Sequence, residues 1–300
     1  MPEPITIHSA VTHLSGWRRI CEFIKLALRA ICNWRISNAW LILINSQPIL
    51  RELSQSKPRL ILKVYRPYLS LALPAVQRLA ALRDHYCFVL ASGLGPLTLL
   101  AARQPALLAN IRGKSGSDLQ LRLVAVDPME REGELVIQLF NDNELICSCA
   151  FSYIAGEHGI VLAIGCLQGP TVPQGRQLVR TATRELHGLR PKALLVHLLV
   201  HLAHQQRCVG VRLVSNRNRV VLAALKKGKV HADYDALWLE LQAFPRIDGD
   251  FELACKQIRP PCLITVPSKK RAEIRRRYAM LEELASSVCR TFARSSAQTA

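Results

Sequence analysis

The sequence predicts a mixed α/β (α+β) fold, with a helical N-terminal region, an antiparallel sheet carrying a long packing helix, and a basic C-terminal helix. Apolar residues first recur at intervals of three and four, as in helices, and then alternate with polar residues over residues 118–164, as in strands. The chain has 300 residues, of which 50% are hydrophobic. A sizeable core can therefore form.

The helical N-terminal region is assigned to residues 1–112. Leu69, Leu73, Val76 and Leu79 are spaced as on one face of a helix, and prolines divide the region into short helices. The most apolar stretches are short or broken by polar residues and proline, whereas a membrane-spanning helix needs about 20 mostly apolar residues. The sequence therefore predicts no transmembrane segment.

The α/β core is assigned to residues 113–268. Strand-like runs occupy residues 119–126, 134–140, 145–153 and 159–164, and Asp-Pro and Asn-Asp-Asn turns between them predict an antiparallel meander. A long apolar helix starts at Pro191, and residues 209–214 form a further strand. This order is similar to that of GNAT acetyltransferases, in which a helix N-terminus holds the pyrophosphate of coenzyme A. The likeness is one of order and not of motif.

The last segment, residues 269–300, is predicted to be a basic amphipathic helix and tail packed on the core. Ile274, Tyr278, Leu281, Val288 and Phe292 fall in helical register behind a run of arginines. One interpretation is that this helix lies on an anionic membrane or RNA surface. The other is a packed helix whose polar face is merely solvated.

The charge of the chain indicates anionic partners. Lys and Arg number 40 against 22 Asp and Glu, a formal net charge of +18. An anionic ligand, a lipid surface or an acidic protein fits this charge, and so does a plain role in solubility. Nucleic acid is compatible with the charge, but no nucleic-acid-binding motif supports it. The predicted basic surface comprises Arg217, Arg219, Lys226, Lys227, Arg275, Arg276 and Arg277.

The ten cysteines are interpreted as small buried hydrophobes. They include no CxxC pair, and residues 1–12 lack the pattern of a secretory signal, so we expect reduced thiols and a cytoplasmic location, with peripheral contact to the inner membrane as an extension. His197, His201 and His204 form a stripe on the long helix, but the Glu of a zinc-binding HExxH motif is missing. No metal site is expected.

The turn at residues 187–192 is the predicted anion-binding site. Pro191 suits a first helical turn, and Gly188 allows backbone angles closed to other residues. Arg190 and Lys192 stand beside the free N–H groups of the helix start, where a phosphate or carboxylate binds well. Gln168 joins the predicted site from the end of the last meander strand. The alternative is an ordinary structural turn.

Two function hypotheses remain open at this stage. The first is a non-catalytic protein that meets an anionic partner through its basic surface. The second is an acyltransferase-like enzyme that binds a phosphate-bearing donor such as acyl-coenzyme A at the turn, with His187, His201 or Asp235 as acid–base group. The carboxylates at 233, 235 and 240 could equally neutralise the basic segment before them. Convergence of the histidine stripe and these carboxylates on one cleft would favour the enzyme.

Six blocks of residues follow one another along the chain, namely Arg83-x-His85-Tyr86-x-Phe88, Arg131-Glu132-Gly133-Glu134-Leu135, Ile164-Gly165-x-Leu167-Gln168-Gly169, His187-Gly188-Leu189-Arg190-Pro191-Lys192, Asp233-Tyr234-Asp235-x-Leu237-Trp238, and Lys269-Lys270-Arg271 with Arg277-Tyr278. In these blocks and their order the chain resembles the VirK/YbjX family, over residues 49–292. The resemblance implies a bacterial protein linked to virulence, envelope integrity and resistance to cationic antimicrobial peptides, with no assigned catalysis.

Overall fold

The helical N-terminal region is built from short segments, because proline and glycine interrupt its apolar periodicity. The computed structural model describes residues 3–222 and 232–297. The α-helices of this region are α1 (Gly16–Cys32), α2 (Trp34–Ser46), α3 (Pro48–Ser56), α4 (Ala75–Ala91) and α5 (Gly95–Arg103), and its 3₁₀ helices are Ile7–Val11 and Pro58–Tyr65.

The sheet begins with a meander, as its alternating pattern predicts. Its strands are β1 (Ala106–Arg112), β2 (Asp118–Ala125), β3 (Leu135–Asn141), β4 (Glu144–Ala155) and β5 (Ile160–Gln168). Each pairs antiparallel with its neighbour in sequence. The fold class is thus confirmed as a mixture of helices and strands, while the narrower likeness to GNAT enzymes stays a prediction.

Strand β1 corrects the assignment of residues 1–112 to helices. It lies inside that range and pairs with β2 from Ala106 to Arg112. Pro105 ends the helical stretch before it, and the short apolar run that follows is compatible with either structure. Pairing with β2 stabilises the strand, and the local sequence does not show this pairing.

Two helices connect β5 to a parallel neighbour. These are α6 (Gly175–Glu185) and α7 (Pro191–Gln205), and they lead to β6 (Gly210–Leu213), which pairs parallel with residues 161–164 of β5. The chain continues through α8 (Tyr234–Glu240) into the hairpin of β7 (Phe244–Pro245) and β8 (Phe251–Leu253). The strand order in the sheet is β1-β2-β3-β4-β5-β6-β8-β7.

The C-terminal helix α9 (Ser268–Ala297) packs on α7, β1 and α5. The side chains predicted to share one face are indeed buried at Leu281, Val288 and Phe292, together with Met280, Leu284 and Ala285. On α7, the predicted sheet-facing residues Leu195, Leu198, Leu199 and Leu202 are buried as well. Periodicity identified the inner faces of both helices.

A charged cluster is buried between the N-terminal helices and the sheet. The Lys63 ammonium lies 2.6 Å from Glu134 Oε1, and Tyr86 donates its hydroxyl to Glu134 Oε2. His85 follows, with its Nδ1 accepting the N–H of Tyr153 at 3.1 Å. The two charges of this cluster, Lys63 and Glu134, therefore compensate each other, which the low dielectric of an interior demands.

Within the described residues, no single helix meets the length and hydropathy needed to cross a membrane. Helices α4 and α5 meet them only when taken together, and they are bent by 112° relative to each other. All ten cysteines are free.

Candidate anion-binding site

The turn before α7 has the backbone geometry that its sequence predicts. His187 and Gly188 both take positive φ values, 50° and 77°, and α7 starts at Pro191 with Arg190 as its N-cap. No side chain caps this helix start. The first N–H groups of α7 therefore keep their capacity to bind an anion.

An open cavity of about 320 Å³ lies at this helix start. It brings together β4, the end of β5, α6, α7 and α8, elements that are distant in sequence. Its lining is largely apolar and includes the predicted site residues Arg190 and Lys192. The cavity is lined by Ile146, Cys147, Gly169, Val179, Arg190, Pro191, Lys192, Ala232, Asp233, Ala236, Leu237 and Glu240.

Lys192 is the distinctive charge of the cavity. Its side chain is partly buried beside the thiols of Cys147 and Cys166, and burial lowers the pKa of its ammonium. The stem passes Gly169, where an added Cβ would stand 3.8 Å from Lys192 Cε. Lys192 forms no ion pair with any residue in ranges 3–222 and 232–297.

The neighbouring thiols do not neutralise this ammonium. Burial raises the pKa of Cys147 to about 12 and that of Cys166 to about 11, so both are protonated at neutral pH. Lys192 is thus a cation set against apolar groups and neutral thiols, and the nearby Arg219 guanidinium disfavours its charge further. It can be compensated by an anion that enters the cavity.

Both carboxylates of the cavity have other partners. Glu240 accepts two hydrogen bonds from Arg190, at 2.7 and 3.0 Å. Asp233 caps α8 by accepting the N–H of Ala236 at 3.1 Å and also accepts the amide of Asn216 at 2.7 Å. The Ala236 N–H, followed by the Asn216 amide, lowers the pKa of Asp233. Glu240 thus pairs with Arg190, which lies outside the basic segment weighed as the partner of these carboxylates, and within the described residues neither carboxylate pairs with Lys192.

Two predicted members of the site lie outside the cavity. The space beside Gly188 is occupied by the Arg277 guanidinium, which also donates from Nε to the His187 carbonyl at 2.9 Å. Gln168 is exposed and lines a neighbouring depression with Pro170 and Leu178. Gly188 therefore shapes the turn and its contact with α9, while Arg190 and Lys192 form the polar wall of the cavity.

The three candidate acid–base groups are not brought together. His187 lies in the turn before α7, and burial, followed by nearby cations, lowers its pKa. His201 Nδ1 accepts the N–H of Ile258 at 3.1 Å, and Asp235 accepts the N–H of Asn216 at 2.8 Å. None of the three lines the cavity at α7.

The histidine stripe faces a different cleft. His197 and His204 line a cavity of about 550 Å³ together with residues 255–259 and Tyr278 of α9. That cavity shares no lining residue with the one at the start of α7. The histidines and the carboxylates of α8 therefore do not converge, which was the arrangement required by the enzyme hypothesis as formulated. No group of three or more His, Cys, Asp and Glu is placed to hold a metal among the residues described.

Only some residues of the predicted basic surface are exposed. Arg217, Arg275 and Arg276 are exposed, and Arg277 is half-buried against the turn before α7. Arg219 corrects the prediction, because it is 3% exposed. Its guanidinium stacks on the Tyr234 ring, 3.8 Å from the centroid, and donates to the Ala232 carbonyl. Lys226 and Lys227 lie outside the described residues.

Tyr234 supports this region through a contact that the sequence did not reveal. Its hydroxyl accepts the N–H of Leu167 at 2.7 Å and donates to the carbonyl of the same residue at 3.0 Å. Pairing with β6 reaches only to Ile164, so Tyr234 satisfies backbone groups that β6 leaves open. The Asp-Tyr-Asp block marked the position, but the contact with β5 spans 67 residues.

Comparison with known proteins shows the family. The model of the family described as "Protein of unknown function (DUF535)" matches residues 15–290. The chain is 32% identical over 274 residues to Uncharacterized protein YbjX of Escherichia coli (strain K12), covering 89% of this chain and 82% of that protein. An uncharacterized protein of Haemophilus influenzae is 31% identical over 169 residues, which cover 56% of this chain and 55% of the relative.

Among solved structures, a mutant of the cAMP-binding acyltransferase from Mycobacterium smegmatis is similar at a TM-score of 0.31 and 13% identity, covering 74% of this chain and 63% of that one. A likeness at this level carries no argument about fold or activity.

Proposed function

Given that the chain belongs to the DUF535 family, we propose from the site itself that the protein binds an anionic ligand with an apolar portion in the cavity at the start of α7. Membership of this family, together with the likeness to YbjX, confirms the resemblance found in the sequence. Lys192 provides the charge that pairs with the anion. The N–H groups of the first turn of α7 add hydrogen-bond donors.

A single observation carries the proposal. Lys192 is a partly buried ammonium without an ion pair among the described residues, at a helix start that no side chain caps. Burying a cation without compensation costs free energy, and a ligand anion would remove this cost. Arg190 is a weaker candidate for the same role, because Glu240 already occupies its guanidinium.

The apolar lining defines the rest of the ligand. Ile146, Val179 and Leu237 surround the charged end, so a small inorganic anion would leave most of the wall unused. The volume of about 320 Å³ is at the small end of the usual range for ligand pockets. An amphiphile with a phosphate or carboxylate head and a short apolar group matches both features.

The proposal extends to the biological role that family membership suggests. We infer that binding of the ligand connects the protein with virulence, envelope integrity and resistance to cationic antimicrobial peptides. We also infer that the protein acts in the cytoplasm, with contact to the inner membrane. The exposed cations Arg217, Arg275 and Arg276 support an anionic partner on the same grounds of charge. The acyltransferase alternative gains no support from the geometry, since none of its proposed acid–base groups lines the cavity.

A thermal unfolding screen tests the ligand-binding proposal. Purified protein is heated with coenzyme A, acyl-coenzyme A species, nucleotides and short-chain phosphatidic acid, and compared with Lys192→Gln. A ligand at about a hundred times its Kd adds about 3 kcal/mol to the free energy of unfolding, which is readily detected. Lys256→Gln is the matched control, because Lys256 lines only the cavity with the histidine stripe.

The outcomes separate the hypotheses. Stabilisation that disappears in Lys192→Gln and persists in Lys256→Gln supports the site. A shift lost only in Lys256→Gln moves the ligand to the other cavity, and the absence of any shift at saturating ligand contradicts the proposal. A response restricted to acyl-coenzyme A would revive the acyltransferase, and turnover would then be measured with free coenzyme A as product.

A further inference from the structure

Helix α1 presents an apolar face to the outside of the molecule. Its exposed apolar residues follow one another at intervals of three and four, so they lie on one face. They form a ridge about 21 Å long. The exposed fractions are 76% for Trp17, 50% for Ile20, 51% for Ile24, 58% for Leu28 and 71% for Ile31.

The same helix is fixed to the protein by a different face. Leu26 and Ala30 are buried, and Phe23, at 37% exposure, meets the ring of His8 edge-on with 5.6 Å between centroids. The exposed ridge is therefore held in place on a folded base. Five large apolar side chains in a row on a surface are more than the scattered apolar residues that most proteins expose.

A row of cations runs beside the ridge. Arg18, Lys25 and Arg29 are spaced by seven and four residues, which aligns them on the next face of the helix. Over Gly16–Cys32 there are four basic residues and one acidic residue, Glu22. Glu22 pairs with Lys25 at 2.9 Å, whereas Arg18 and Arg29 form no ion pair within the described part of the chain.

Tryptophans stand at both ends of the ridge. Trp17 is the second residue of α1, and Trp34 begins α2 two residues after α1 ends, with 64% of its surface exposed. Tryptophan favours the boundary between water and acyl chains, because its ring is apolar and its N–H needs a polar partner. The other two tryptophans, Trp40 and Trp238, are fully buried.

We propose that α1 is an interfacial membrane helix that seats the protein on an anionic bilayer. The ridge enters the outer acyl region, the tryptophans stand at the level of the headgroups, and the cation row pairs with lipid phosphates. The row of exposed cations beside the ridge matches an anionic lipid surface. A second copy of this chain would bring like cation rows together, so the charge selects an anionic occupant.

The sequence suggested a different helix as the one that binds a membrane. The basic helix α9 was considered for that role, but its apolar side chains are buried against α7 and β1. Helix α1 keeps its apolar ridge free and carries positive charge beside it. The inference does not depend on the ligand of the α7 cavity, which is lined by other elements.

Vesicle flotation tests the proposal with the full chain. Vesicles of phosphatidylcholine alone are compared with vesicles of phosphatidylcholine and phosphatidylglycerol in equal parts. We expect binding to the anionic vesicles that weakens with salt, and a loss of about tenfold or more in Ile24→Asp, since a charge replaces an inserted apolar group. Ile247→Asp is the matched control, because Ile247 is fully exposed in the hairpin between β7 and β8.

Tryptophan fluorescence gives a second measurement. Anionic vesicles should shift the emission to shorter wavelength, and most of the shift should vanish in Trp17→Phe with Trp34→Phe, because the remaining tryptophans are already buried. Equal flotation of Ile24→Asp and the wild type would overturn the proposal. So would dimers in vesicle-free buffer that Ile24→Asp dissociates, since the ridge would then bind a second copy. Circular dichroism checks that each variant is folded.

Discussion

Lys63 and Glu134 form an ion pair of 2.6 Å that is almost wholly buried where the 3₁₀ helix Pro58–Tyr65 meets the sheet. Burial alone would raise the pKa of Glu134, but the Lys63 ammonium, followed by His85, holds it below its ordinary value. The pair joins the N-terminal helices to the start of β3. Loss of one partner should therefore weaken the docking of these two parts.

Replacing Lys63 with methionine should lower the free energy of unfolding by about 3–5 kcal/mol. The variant leaves the Glu134 carboxylate buried without its cation, although the Tyr86 hydroxyl still donates to it. Urea unfolding measures the loss. Lys25→Met is the control, because its ion pair with Glu22 is exposed and should leave the midpoint unchanged. The double variant Lys63→Met with Glu134→Leu should recover most of the loss, and a double variant as unstable as the single one would contradict this account.

His85 should make stability depend on pH. Burial lowers its pKa to about 4, while Nδ1 accepts the Tyr153 N–H. The unfolded chain, with a histidine pKa near 6.5, binds more protons between these two values. The stability that neutral His85 contributes is therefore fully present above about pH 6.5 and is lost as the pH falls toward 4. Between pH 7 and pH 5 this group should remove about 2 kcal/mol.

The measurement is urea unfolding of the wild type and His85→Gln at both pH values. The variant should show a smaller decrease than the wild type, because glutamine can accept the same N–H and has no charge to gain. His158→Gln removes an exposed histidine from the turn between β4 and β5 and serves as the matched control. Parallel pH dependences in the wild type and His85→Gln would exclude His85 as the cause.

Gly165 lies inside a buried strand because a side chain does not fit at its position. A Cβ at this position would overlap the carbonyl oxygen of Glu132, so β5 can approach that backbone only without a side chain. Gly165→Ala should lower the free energy of unfolding by about 1–3 kcal/mol in urea unfolding. Gly169→Ala is the control four residues on, where the new Cβ would make an ordinary contact with Lys192. Equal stability of the two variants would argue against the overlap.

The sequence predicted those elements whose patterns are local. Pro191 marked the start of α7, and the four strand-like runs correspond to β2, β3, β4 and β5 within a few residues. Helix α6 was not predicted, because it is a largely polar segment in which Ala182 is the only buried apolar side chain beyond a glycine. Strand β1 depends on pairing with β2, which local pattern cannot show.

The candidate site shows the same limit. Arg190 and Lys192 could be identified beside a helix start, because both lie in one short block. Their unequal roles could not be predicted, since Glu240 pairs with Arg190 across 50 residues and leaves Lys192 without a carboxylate. The wall of the cavity comes from β4, α6 and α8. Only the folded chain brings these together.

Lys192→Met should stabilise the protein in the absence of ligand while removing ligand binding. Burial lowers the pKa of Lys192, so the folded state disfavours the charge that the unfolded chain carries freely. We expect a gain of about 1 kcal/mol at pH 7 in urea unfolding. The unfolded chain binds more protons below the ordinary lysine pKa of about 10.4, so wild-type stability rises as the pH approaches that value and the gain should shrink. Lys256→Met, on an exposed lysine, is the control. A destabilised Lys192→Met would mean that the ammonium holds the fold together, and the anion site would lose its main support.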